Sequence, residues 1–185
     1  TGPSLNDYYG TGPNGINNLF TVLIRWRSYE YSLVYDVSKA YHSVHTGKPE
    51  FFMRLIVWKF EEDEVWRVWG HDCMGMGDPG AMNGLEVTKE FAADKGRAID
   101  VKAADDLRDG SYVDDCPSGG SKEDIDRMRG EVIKLADGKL KFTGTVSQIL
   151  AQVGLAPKTI ICSGDTDPDI VSKTVSYTHL TLPTI

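Results

Sequence analysis

Apolar positions recur along the chain with two alternating periods. Ile16, Leu19, Phe20, Leu23 and Ile24 fall at helical spacing after Gly12-Pro13, which predicts an amphipathic helix over 14–27, ended by Ser28 to Glu30. The run 31–37 is short, apolar and β-prone and predicts a buried strand with Asp36 near its end, followed by a tight helical turn over 38–45. Residues 53–60 and 65–71 suit two strands, with the acidic cluster Glu61 to Glu64 as the surface turn between them. Gly75, Gly77, Pro79 and Gly80 break the pattern, and a helix over 81–94, ended by Gly96, follows. A short helix over 98–107 precedes a hairpin over 110–117 with Asp114-Asp115 at or near its tip. Ser121 is suited to cap a helix whose first turn carries Glu123 and Asp124, predicted to run to about Ala136 and to end at Gly138. Strand 139–142, helix 146–153 and strand 158–162 complete the series. Locally paired strands with helices over one face predict an α+β fold built on an antiparallel sheet.

Composition changes this picture little. The 185 residues carry 41% hydrophobic and 25% charged residues, enough for one domain with a core. No apolar run reaches the ~18 residues of a membrane span, and the polar start shows no secretory signal. Cys73, Cys116 and Cys162 form no CxxC pair, which argues against zinc and against a disulfide framework, and suggests a reducing, intracellular setting. His42, His45, His71 and His179 make no metal-ligand spacing, and Trp58, Trp66 and Trp69 read as packing residues. The net charge of -7 is unusual for a nucleic-acid enzyme, which implies either another function or basic parts outside this sequence.

The chemistry concentrates in two strings. In Ser111-Tyr-Val-Asp-Asp115, adjacent carboxylates repel unless a cation neutralises them. A hard divalent metal would do so, whereas an ordinary solvated turn would leave them apart in water. In Val34-Tyr-Asp-Val-Ser-Lys-Ala-Tyr41, an Asp ending a buried strand implies a partner or metal, or a cap on the next turn. The loop Gly75-Met-Gly-Asp-Pro-Gly80 formally matches GxGxxG, with Asp100 downstream. Asp78 would oppose a pyrophosphate there, and Pro79 removes an N–H donor.

Taken together, Asp36-Val-Ser-Lys-Ala-Tyr41 and Tyr112-Val-Asp-Asp115 resemble the first and third palm motifs of reverse transcriptases. With Ser4 to Asp7, Thr11-Gly-Pro13, Leu23 to Arg27 and Ser163-Gly164, the chain is similar to the BEL/Pao group of long-terminal-repeat retrotransposons over residues 3–170. The resemblance implies a polymerase palm with partial fingers over 1–174. Residues 175–185 read as a non-native, adapter-like tail. It further implies an RNA-directed DNA polymerase using two Mg²⁺ ions, with Mn²⁺ as a substitute, on an RNA or DNA template with primer and dNTPs. Asp36, Asp114 and Asp115 would be its catalytic carboxylates, with the Val37 carbonyl as a further metal ligand. Lys39 and Ala40 would face the triphosphate through their backbone N–H groups, Tyr41 would exclude a 2′-hydroxyl, and Tyr112 would lie at the primer end. Gly77 would belong to the nucleotide-contacting loop, although Met76 stands where many relatives have Gln, and Lys158 would protonate pyrophosphate. The basic fingers residues, the thumb and the RNase H region of such a polyprotein fall outside the sequence, so the chain is expected to be inactive alone. The setting implied is a cytoplasmic retrotransposon particle. The alternative is a decayed element acting at most as a binding module.

Overall fold

The computed structural model describes residues 2–3, 7, 10–48, 52, 54–62 and 64–166. The adapter-like tail and Ser4 to Asn6 of the resemblance lie outside them. The described residues form a mixed α+β fold with five helices and antiparallel sheets, and none of these helices is long and apolar enough to cross a membrane.

The central sheet has three strands: β1 (Tyr31–Val37) between β4 (Asp115–Gly120) and β7 (Pro157–Cys162), antiparallel to both. Alternation along β1 sends Leu33, Tyr35 and Val37 to one face and Val34 and Asp36 to the other. Leu33, Tyr35 and Val37 share a single buried cluster with residues of four helices. These are α2 (Ala81–Gly96), α3 (Val101–Asp109), α4 (Lys122–Arg129) and α5 (Thr145–Ala151). Pro117 sits in β4, an edge strand, where its missing N–H costs no ladder bond on the open side. Gly96 lets α2 lie against α5, since a Cβ there would meet Ile149 at 2.7 Å.

Strand β1 has the bounds its apolar run predicts, and Ser121 caps α4 as expected. The Ser121 hydroxyl accepts from the Asp124 N–H at 3.2 Å, while Asp124 accepts from the Ser121 N–H at 3.1 Å. Other boundaries differ. Helix α1 (Leu19–Arg27) starts five residues later than predicted, because Asn18 takes the cap by accepting from the Thr21 N–H at 3.2 Å. Asp100 caps α3 in the same way and delays its start to Val101. Helix α4 ends at Arg129 and not near Ala136, because Gly130, at φ +64°, terminates it. The β-branched pair Val132-Ile133 then opens a small hairpin, β5 (Val132–Lys134) and β6 (Leu140–Phe142), with Gly138 in its turn. Gly138 is thus a turn residue and not a helix terminator.

The third pairing, β2 (Leu55–Trp58) with β3 (Arg67–Gly70), is an antiparallel ribbon whose residues are all exposed. Trp58, Trp66 and Trp69 are therefore not core residues among the described part of the chain. Phe60 instead stacks edge-on against Trp58 and Trp69.

Candidate functional site

The site forms where the central strand runs out. Asp36, on the face of β1 turned away from the helical core, pairs directly across the ladder with Asp115. Directly opposed residues share a face with Cβ atoms ~5 Å apart, so the two carboxylates are close neighbours. Asp114 precedes Asp115 in a two-residue turn closed by Tyr112 and Asp115, whose N–H and C=O groups bond reciprocally at 2.8 and 3.0 Å. The Asp114 carbonyl accepts from the Val37 N–H at 3.3 Å, which fixes the turn to the end of β1. On the other side of β1 the register with β7 slips between Asp36 and Val37. A bulge at this position re-aims the side chains beyond it.

The predicted hairpin over 110–117 is accordingly reduced to this turn. Its first arm is the single bridge residue Tyr112, and its second arm continues as β4. Val113 holds φ +54° within it, and Lys39 holds φ +49° just after β1; they are the two non-glycine residues with positive φ among those described. For a β-branched Val this is a costly conformation, and both strained residues border the carboxylates.

The electrostatics follow the geometry. Burial and the charges of Asp114 and Asp36 push the Asp115 carboxyl up to about 6. Burial also raises Asp36, and Asp114 adds to this, against the pull of Lys158. The Lys158 ammonium lies 3.3 Å from Asp36 Oδ2. Burial and the charges of Asp114 and Glu86 raise the Tyr41 phenol.

A cleft of about 970 Å³ opens over this sheet end. It brings together Asp36, Val37, Lys39, Ala40, Tyr41, Asp114 and Lys158, with Met76, and extends to Lys139 and Lys141 on the β5–β6 hairpin. Of the remaining sequence candidates, Tyr112 and Asp115 contribute to the turn behind it. Gly77, at φ +98°, lies in an exposed loop and is not among the residues lining the cleft.

Among the described residues, no three His, Cys, Asp or Glu side chains converge tightly enough to form a ready metal cage. The donor set is nonetheless that of a hard cation: carboxylate oxygens that repel one another, half-buried and open to a cleft on one side. The three cysteines are free thiols, Cys116 and Cys162 buried and Cys73 partly so.

The glycine-rich loop does not form a dinucleotide cradle. The Asp78 carboxylate accepts from the Gly75 N–H at 2.8 Å and from Arg54 Nε at 2.9 Å, so an internal carboxylate takes the place an anion would need. The preceding strand, β3, is antiparallel to β2, and not part of a βαβ unit.

Sequence reasoning missed the support under the turn. Lys89 of α2 is almost fully buried and bonds the Val113 carbonyl at 2.5 Å and Ser111 Oγ at 2.9 Å. Its ammonium also lies 2.8 Å from Glu86 Oε1, an ion-pair contact without hydrogen-bond alignment. Asn17 Nδ2 donates to the Ser111 carbonyl at 2.9 Å and to that of Arg108 at 2.8 Å. One signal for Lys89 was present in the sequence: it falls on the buried stripe of its helix with Leu85, Ala92 and Gly96.

Compared with known proteins, the chain matches no family model and no curated sequence.

Proposed function

We propose that this chain is the catalytic palm of an RNA-directed DNA polymerase of the BEL/Pao retrotransposon type, transferring a nucleotide from a dNTP to a primer 3′-hydroxyl. The observation that carries the reading is the pairing of Asp36 with Asp115 across the β1–β4 ladder, with Asp114 in the adjoining turn. Two strings distant in sequence thereby supply three interacting carboxylates to one sheet end, beside a cleft with room for a nucleotide.

In this reading Asp36 and Asp114, with the Val37 carbonyl, hold two Mg²⁺ ions, and Mn²⁺ can replace them. When bound, the ions would acidify the primer hydroxyl and neutralise the phosphates of the dNTP. Asp115 adds negative charge from behind. The peptide N–H groups of Lys39 and Ala40 face the triphosphate, and the strained left-handed backbone at Lys39 aims that loop. Tyr41 lies where a sugar ring would rest and discriminates against a 2′-hydroxyl. Lys158, 3.3 Å from Asp36 Oδ2, carries the proton for the leaving pyrophosphate. Tyr112 supports the primer end, and the loop of Gly77 reaches the nucleotide cleft through its neighbour Met76. On the far side of the cleft Lys141 offers positive charge to the nucleic-acid backbone, while Lys139 is paired with Asp137 at 2.7 Å.

Titration of the chain with Mn²⁺, followed by electron paramagnetic resonance, tests this directly. Binding that is lost in Asp36→Asn and Asp114→Asn supports the palm. Binding unaffected by either substitution, or no binding at all, leaves the competing reading of a decayed element that is at most a binding module.

A further inference from the structure

We infer that Lys89 is a positioning residue for the aspartate turn: its buried ammonium pins the Val113 carbonyl and so sets the direction in which Asp114 and Asp115 present their carboxylates. The inference rests on the palm reading and adds to it a residue outside the recognised motifs.

An ammonium has three N–H donors. Two of those of Lys89 meet the Val113 carbonyl at 2.5 Å and Ser111 Oγ at 2.9 Å, and the ammonium makes an ion pair with Glu86 Oε1 at 2.8 Å. Lys89 thus holds the carbonyl of the one β-branched residue in the turn at positive φ, with the Glu86 carboxylate paired to the ammonium. Such a conformation persists only where its surroundings over-determine it. Ser111 is fully buried, and its carbonyl is held by Asn17, so the arm leading into the turn is fixed as well.

Stability alone gives little reason for the arrangement. A buried ion pair is commonly no better for stability than apolar side chains of the same volume. Here the pair lies on the apolar stripe of α2, where Leu or Met would pack. What the apolar alternative lacks is a donor aimed at the Val113 carbonyl.

The decisive property is the sign of the effect on cation binding. Lys89 is a positive charge close to the carboxylates, so its removal on electrostatic grounds alone would tighten a divalent cation. Loss of positioning weakens it. The test is Mn²⁺ affinity of the wild-type chain, Lys89→Met, and the double variant Glu86→Gln with Lys89→Met, each confirmed folded by circular dichroism. The double variant leaves no unpaired buried charge and is the one to read if Lys89→Met does not fold. Ser121→Ala, at the far end of β4, serves as a control for destabilisation alone.

The expected result is a loss of affinity of about tenfold or more in the Lys89 variants, the range typical of outer-shell partners of a metal site, with Ser121→Ala unchanged. Unchanged or tighter binding in a folded Lys89 variant overturns the positioning role while leaving the palm intact. Absence of binding that depends on Asp114 in the wild-type chain overturns the palm, and the role of Lys89 with it.

Discussion

Asp115 gives the most direct test of the site's electrostatics. Its carboxyl is raised from an ordinary 3.8 to about 6, by burial first and then by Asp114 and Asp36. The folded chain therefore holds this proton more tightly than the unfolded chain. The stability so gained is complete below pH ~3.8 and is lost as the pH rises through about 6. At pH 7.5 the folded state carries the whole cost of an ionised, crowded carboxylate. The rise from 3.8 to about 6 corresponds to ~3 kcal/mol, and partial solvent access reduces this to about 1–2 kcal/mol. Asp115→Asn removes the charge with little change in shape. It is expected to stabilise the chain by that amount at pH 7.5 and to leave it nearly unchanged at pH 4. Urea unfolding followed by circular dichroism would show the midpoint rising by roughly 0.5–1 M at the higher pH. A variant no more stable than wild type at pH 7.5, or a gain that persists undiminished at pH 4, would refute the reasoning.

Three further outcomes are expected. Ser121→Ala breaks the reciprocal cap of α4 and should cost ~1 kcal/mol in denaturant unfolding; no change would mean that the Asp124 side chain suffices. Gly96→Ala places a Cβ 2.7 Å from Ile149 and should destabilise by about 1–3 kcal/mol, despite the better helix propensity of Ala; a more stable variant would show that α2 and α5 can separate at little cost. Lys158→Ala removes the cation beside Asp36, so the Asp36 carboxyl should titrate at still higher pH in a carboxyl-carbon NMR titration. Global stability should move by less than ~1 kcal/mol, because the pair is largely exposed. A lowered Asp36 pKa would contradict the contact.

How far the sequence could be read depended on whether a signal was local. The apolar run of β1 and the Ser121 cap are local, and both lie where the pattern puts them. The predicted helix runs past the end of α4 because Val132 and Leu135 continue the helical spacing of Ile125 and Met128 beyond Gly130, and a pattern alone does not register that Gly130 adopts φ +64°. The start of α1 was misplaced because Asn14, Asn17 and Asn18 all qualify as caps. The competition is settled by tertiary contacts, with Asn17 spent on the Ser111 and Arg108 carbonyls. At the site, the carboxylates were legible as residue types in a familiar spacing, but their opposition across β1 and β4 is a matter of register. Lys89 was hidden for a different reason. A lysine three residues after a glutamate on a helix normally marks a solvated face, and nothing local announces that the Val113 peptide will lie above it.

The β2–β3 ribbon has a consequence for how the molecule behaves as a whole. Among the described residues its two strands pair with each other alone, an arrangement marginal in water, and Ile56, Val57, Trp58, Val68 and Trp69 all remain open to solvent. The exposed ribbon is therefore expected to open at a lower temperature than the three-stranded sheet with its helices. Its amides should exchange with solvent well before those of β1. Its exposed aromatic and β-branched side chains also make it the segment through which one copy would meet another as concentration rises.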